Sequence, residues 1–280
     1  MKDILLNFIQ FVFDIYDACI EWSLTMLTYN LDDKHLSAGT SMAEKLNTDA
    51  MTPIAIQIVG ICFLISFLKI LNKDDIIRIE TYAKIFFMMC FSKSAVNYSF
   101  KLCRLIYNTG SGIILNAKKT FYKASTVNTF EINESTIKEA LKEMGVLEIL
   151  LVSVICIVFL LFIVFCSLLI TIISWGRYVE ILVLMCGCSL PMGFLPLQHE
   201  GGHVIKNYFK YFSAVVLQGF VIAVTLMICQ KLLTNMVVDL ASDSSLGSVV
   251  AILGNILINC VVMLVTIMKS TQIAQKWVGQ

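Results

Sequence analysis

The sequence is poor in charge. Asp, Glu, Lys and Arg make up 15% of its 280 residues, against 58% hydrophobic residues and a mean hydropathy of +0.82. A soluble fold of this size has too little interior to hide that much apolar side chain. An excess of either sign is also lacking: 21 basic and 20 acidic residues give a net charge of +1, which excludes the electrostatic footprint of a nucleic-acid-coating protein. The ten cysteines include no Cys-x-x-Cys pair and show no disulfide-framework rhythm, so they read as small hydrophobes packed among helices. Cys186-Gly-Cys188, two thiols in an apolar run without further ligands, is read as packing and not as a soft-metal site. Gly-rich phosphate loops, nucleophile elbows and paired-carboxylate sites are missing as well. Nothing in the chain supplies its own energy, and no cofactor is expected.

What the sequence does contain is long apolar runs. About 20 such residues cross the ~30 Å hydrocarbon layer, and four windows free of Asp, Glu, Lys and Arg approach or exceed that length: Ala50 to Leu68, Ile149 to Gly176, Tyr211 to Gln230 and Ser244 to Met268. The expected fold class is an all-α polytopic membrane protein. Its parts are an N-terminal amphipathic helix and polar connector (1–50), a first transmembrane pair (51–117), an exposed central loop (118–148) and a C-terminal transmembrane bundle (149–280).

Within the first part, Asn7, Gln10, Asp14, Asp17 and Glu21 form a polar helical face opposite Leu5, Phe8, Phe11, Val12, Ile15 and Trp22. The acidic residues and the missing cleavage site exclude a cleaved leader. The helix is expected either along the outer membrane interface, because its polar face is acidic, or packed on the other spans with its carboxylates in water. Tyr29 to Asp49 reads as a connector, with Pro53 in the first turn of a span from about Thr52 to Leu71. Thr81 to Ala117, punctuated by Lys84, Lys93, Lys101 and Arg104, reads as one span with snorkelling ends. In the central loop, Thr136 and Glu139 suit a capping box.

Ile149 to Gly176 exceeds a perpendicular span, so it tilts or projects. Arg177 and Glu180 follow three apart, near enough to pair on a helix face. Ile181 to Gln198 is broken by Gly187, Pro191, Gly193 and Pro196, and such a segment crosses lipid only where protein covers the freed backbone groups. Asp239 and Asp243 lie in a turn without Lys or Arg, placed outside, which leaves Lys269 and Lys276 inside. A five-span arrangement with the N-terminus outside splits the basic residues evenly. A six-span one, starting inside, puts twice as many inside as outside and is favoured by charge alone.

One catalytic pattern is literal: His199-Glu200-Gly201-Gly202-His203 has the H-E-x-x-H spacing of a zinc protease, two imidazoles one helical turn apart with a carboxylate as general base. Two glycines after Pro196 disfavour the helix that gives this spacing its meaning, and a third ligand is missing. It is read as a glycine-hinged polar turn, with His199, Glu200 and His203 kept as the alternative metal site. Gly247, Ala251, Asn255 and Asn259 recur every four residues in the last span, and Gln218, Gly219 and Thr225 share roughly one face of the preceding one. Small residues permit close helix approach and amides bond across it. Intramolecular packing, with Gln218 opposite Asn255, and a subunit interface or conduit lining both fit.

Gly176-Arg177-Tyr178-Val179-Glu180-Ile181, then Pro191-Met192, then Asn207-Tyr208-Phe209-Lys210 with Leu217-Gln218-Gly219-Phe220, resemble the TrbL-type family of polytopic channel subunits of type IV secretion and conjugation machines. The likeness is closest to members from Gram-positive conjugative elements, and Asn255 to Ala274 resembles the family's closing span. The resemblance implies five spans, an extracytoplasmic N-terminus, a cytoplasmic tail and a place in the inner membrane. It implies a homo-oligomer docking other secretion subunits and the transfer and coupling ATPases, with single-stranded DNA or secreted protein as substrate and no catalysis of its own. Arg177, Glu180, Pro191, Pro196, Gln218, Asn255 and Asn259 are the candidate functional positions. An intramembrane zinc protease and a small-solute transporter are the competing readings.

Overall fold

The computed structural model describes residues 2–34, 36–71, 79–124, 146–197, 199–240 and 246–279, and these are helical apart from short turns, with no strand among them. The helices are α1 (Lys2–Thr28), α2 (Ser37–Leu46), a π-helical turn (Asn47–Met51), α3 (Thr52–Leu71), α4 (Ile79–Ala124), α5 (Val146–Cys186), α6 (Ser189–Gly193), a 3-10 turn (Leu195–Leu197), α7 (His199–Leu240), α8 (Leu246–Met268) and α9 (Ser270–Val278). Three helical stretches among the described residues are long and apolar enough to cross a membrane: Ser37–Lys69, Ser153–Gly193 and Gly201–Leu232. Gly254–Met268 with Ser270–Val278 makes a fourth if that bent pair is one span.

Several boundaries differ from expectation. The connector 29–49 is largely helical, because the π turn carries α2 into α3: the Thr52 amide reaches back to the Asn47 carbonyl, a register shift just before Pro53, which has no N–H of its own to give. α4 is one helix of 46 residues that runs on to Ala124, past the expected start of the loop. Its lysines and its Ser, Asn and Tyr residues keep it out of the candidate spans. The expected capping box at Thr136 and Glu139, the segment 72–78 and Asp243 lie outside the described residues. α5 does not stop at Gly176; it takes in Arg177 and Glu180 and ends only at Cys186.

The chain divides into two compact units, each built from three chain segments. The first holds 1–28, 113–176 and 219–270. Its core sets Tyr16, Ile20, Leu24 and Leu27 of α1 against Ile163, Cys166 and Ile170 of α5, Ile222, Leu226 and Met227 of α7, and Ile256, Cys260, Met263 and Ile267 of α8. The α1 residues recur at the three- and four-residue steps of one helical stripe. That stripe is not the expected one: Phe11 and Trp22 are exposed, and Trp22 lies 6.5 Å from Trp175, ring to ring. Thus α1 packs on spans, with Asp14 and Glu21 exposed. Asn259 of α8 is buried in the same unit, donating to the Cys229 carbonyl (3.1 Å) and to the Tyr16 hydroxyl (3.4 Å).

The second unit holds 29–112, 177–218 and 271–280. One cluster joins Leu31, Ala43, Phe100, Cys103, Tyr107, Ile181, Met185, Phe212, Val215 and Val216; another joins Ala55, Val59, Val96 and Met192. Close approaches fix two contacts. A Cβ at Gly110 would run into the Val216 side chain, and one at Gly193 would meet the Ala55 carbonyl at 3.0 Å.

Two outcomes follow. Asn259→Leu should lower stability by ~0.6–2 kcal/mol, since it leaves the Tyr16 hydroxyl short of a donor, whereas Ile258→Ala at an exposed position should change little; thermal unfolding of detergent-solubilised protein measures both. Asp17, half-buried and with a buried carboxylate oxygen lacking a partner among the described residues, has its carboxyl pushed up to about 6, first by burial and then by Asp14 and Glu21. Its protonated form is favoured in the fold, so its stabilising contribution is full below about pH 4 and is lost as the pH rises through 6. Asp17→Asn should flatten that part of the stability profile, as unfolding measured between pH 4 and 7 will show.

Candidate functional site: a helix break met by side chains

The site begins where α5 ends. At Gly187 the amide shares the Val183 and Leu184 carbonyls (3.3 and 3.1 Å), the Cys188 amide turns to Met185 (3.3 Å), and the Leu190 amide bonds Gly187 (3.2 Å). The shortened bonds of Cys188 and Leu190 withdraw those amides from the Leu184 and Cys186 carbonyls, of which Leu184 keeps the Gly187 amide. The two prolines worsen the deficit, for neither has an N–H to give to the residue four before it. In an apolar layer such carbonyls cost several kcal/mol each if unmet.

Side chains meet them. The Tyr208 hydroxyl donates to the Leu184 carbonyl at 2.8 Å, and Asn47 Nδ2 donates to the Cys186 carbonyl at 2.8 Å. Met192, whose helical donor would be residue 196, accepts instead from Ser92 Oγ at 3.0 Å. The Pro196 carbonyl accepts from Ser66 Oγ at 2.7 Å. The donors come from the π turn, α3, α4 and α7, so four elements converge on one short segment.

Beneath these bonds lies a connected polar cluster. Asn47 Nδ2 also donates to Ser189 Oγ (2.9 Å) and Ser189 Oγ lies 3.1 Å from Asn47 Oδ1; Ser99 Oγ lies 3.0 Å from Ser189 Oγ, and Thr52 Oγ1 lies 3.3 Å from it. Cys188 Sγ donates to Ser99 Oγ at 3.3 Å. Asn47, Ser92, Ser99, Cys188 and Ser189 are all buried. Cys188 is thus a polar partner as well as packing, while Cys186 contributes its backbone. Apart from the Cys188 thiol the cluster consists of one amide and hydroxyl groups, and its bonds hold the break in place.

Arg177 sits one element away and is buried. It does not form the expected ion pair with Glu180. Its Nε and Nη2 donate to the carbonyls of Val215 and Val216 (3.1 and 3.2 Å), and Glu180 Oε1 accepts from the Tyr211 hydroxyl at 2.7 Å. Both charged groups therefore turn to α7, where carbonyls and a phenol satisfy them at better geometry than a neighbour on their own helix offers. The exposed charge cluster of this unit lies elsewhere, where Arg104 pairs with Asp32 and approaches Glu44 at 4.0 Å.

Of the other expected positions, Pro191 lies in α6 and Pro196, buried, in the 3-10 turn. Gln218 is buried in the second unit, whereas Asn255, half-buried, and Asn259 belong to the first. The side chains at Gly247, Ala251, His199 and Glu200 lie outside the described residues. Residues 199–203 are not a hinged turn: they open α7, and Gly201 leaves no room for a Cβ against the Phe194 carbonyl. The glycine that weakens helix propensity there is what lets the helix start so close to the turn before it. His203 is exposed, and no group of three His, Cys, Asp or Glu able to hold a metal occurs among the described residues.

Ser92→Ala should cost ~0.5–1.5 kcal/mol, because it removes the side-chain donor to the Met192 carbonyl and leaves that carbonyl the Phe194 amide alone. Ser94→Ala, at an exposed position of the same helix, should change little. Denaturant unfolding in detergent reads both.

A family model described as TrbL/VirB6 plasmid conjugal transfer like protein covers residues 34–189, from the connector through α5 to the first residue of α6. That span holds Asn47, Ser66, Ser92, Ser99, Arg177 and Glu180, and stops short of Pro191, the Asn207–Lys210 run and Gln218. It lends no support to a Gram-positive subgroup. No curated protein and no solved structure matches. With more than half of its length matched, this apolar, helical chain belongs to the TrbL/VirB6 plasmid conjugal transfer like family.

Proposed function

We propose that the protein is a channel and scaffold subunit of a conjugative type IV secretion machine. It sits in the cytoplasmic membrane as a homo-oligomer, with its N-terminus outside and its tail inside, and docks other membrane subunits and the transfer and coupling ATPases while DNA or protein is moved. The five-span arrangement counts α4 as a span beside the apolar ones. The observation that carries this reading is the break at 187–197. A discontinuous helix with four of its carbonyls covered by side chains suits a fixed architectural element, and polar cover in apolar surroundings is where a conduit wall differs from a plain bundle.

The zinc-protease reading gains one point, since residues 199–203 are helical and the two histidines are therefore one turn apart. It keeps the deficit of a third ligand among the described residues. A clean deletion should abolish conjugative transfer while growth and element maintenance continue, and Glu200→Gln, which removes the general base that the motif would supply to a protease, should transfer at nearly wild-type frequency. Mating assays decide both. Transfer unaffected by the deletion would end the channel reading, and stoichiometric zinc lost on His203→Ala would favour the protease.

A further inference from the structure

We propose that Lys206, Lys210 and Lys276, with Trp277, form an interfacial binding site for the phosphate headgroups of anionic phospholipid. Lys206 and Lys210 are one turn apart on α7, and Lys210 Nζ donates to the Gly279 carbonyl at 2.9 Å, which ties the end of α9 to that turn. Gly279 takes a left-handed φ of +74° and its amide bonds the Lys276 carbonyl at 3.2 Å, closing α9 one turn beyond Lys276. Lys206 lies one turn before Lys210 on α7 and Lys276 one turn before Gly279 on α9, so the three lysines belong to two adjoining helix turns of the second unit. Lys206 and Lys276 are exposed, and none of the three is in an ion pair among the described residues. Lys210 spends one of its donors on the carbonyl and keeps two.

The surroundings select a membrane over free anion. α9 buries Ser270 and Ala274 and turns Lys276 and Trp277 outward, so an indole with its apolar body and polar edge stands beside the ammonium, the pairing that favours headgroup depth. The helix follows directly on an apolar one, α8. Clustered lysines beside such a helix attract anionic lipid by about fivefold per charge.

The test uses the full chain in nanodiscs of phosphatidylcholine doped with phosphatidylglycerol, reading co-released lipid by native mass spectrometry. Wild type should enrich phosphatidylglycerol; Lys276→Gln should lower the enrichment about fivefold, and Lys206→Gln/Lys210→Gln/Lys276→Gln should abolish it. Because Lys276 is exposed and bonds no side chain among the described residues, its single variant decides the matter if the triple variant fails to accumulate. Unchanged enrichment in either variant overturns the site. An equal loss in Lys84→Gln/Lys93→Gln/Lys101→Gln, on α4, would overturn it too, by showing bulk charge at work. Equal occupancy by inorganic phosphate in discs of phosphatidylcholine alone would overturn lipid as the occupant.

Discussion

A backbone carbonyl short of a helical donor in an apolar setting needs another partner, and at the break in the second unit four carbonyls accept from side chains. Leu184, Cys186, Met192 and Pro196 accept from Tyr208, Asn47, Ser92 and Ser66. Each bond is worth little net, but each unmet carbonyl would cost more than the bond gains. That asymmetry fixes the register of α3 and α4 against the break far more tightly than packing of Ala55, Val59 and Val96 alone could. Moving α3, α4 or α7 by a turn would withdraw one of these side-chain donors.

Arg177 solves the same problem in reverse. There a buried cation lacks acceptors, and the helix opposite lends two carbonyls that already serve their own ladder. In the first unit Asn259 borrows the Cys229 carbonyl in the same way. At these places among the described residues, buried polar side chains are answered by backbone, and broken backbone by polar side chains.

The class of fold was legible in the long uncharged runs, and so was the break, because Gly187, Pro191, Gly193 and Pro196 are visible as residues that forbid a regular helix. Of the residues that answer the break, Tyr208 stands out only within the Asn207–Lys210 run, and Asn47, Ser66 and Ser92 carry no mark of their role. Asn47 lay in a stretch polar enough to pass for a connector, and its importance rests on a π turn that no periodicity announces. Ser92 and Ser99 stand seven apart on α4, a heptad spacing that was available as a signal, but two serines in a lysine-punctuated run look like ordinary dilution of hydropathy. The end of α5 was misplaced for a related reason: a charged pair at 177 and 180 looks like a membrane edge when the carbonyls and phenol that accommodate it lie some 35 residues downstream. The glycines at 201 and 202 were read for their helix propensity, whereas position 201 is set by the proximity of Phe194.

The bare side of α5 has a consequence of its own. Val154, Ile157, Val158, Leu161, Phe165, Leu168, Ile172, Trp175, Val179 and Val183 are all exposed, and at 100° per residue they fall on one stripe. From the first to the last the helix climbs ~44 Å at ~1.5 Å per residue, against a hydrocarbon layer of ~30 Å. This is hydrophobic mismatch built into a single rod. Where lipid lies against it, such a rod leans, projects into the headgroups or thickens the bilayer, and each response couples the helix that leads into the break to the local bilayer.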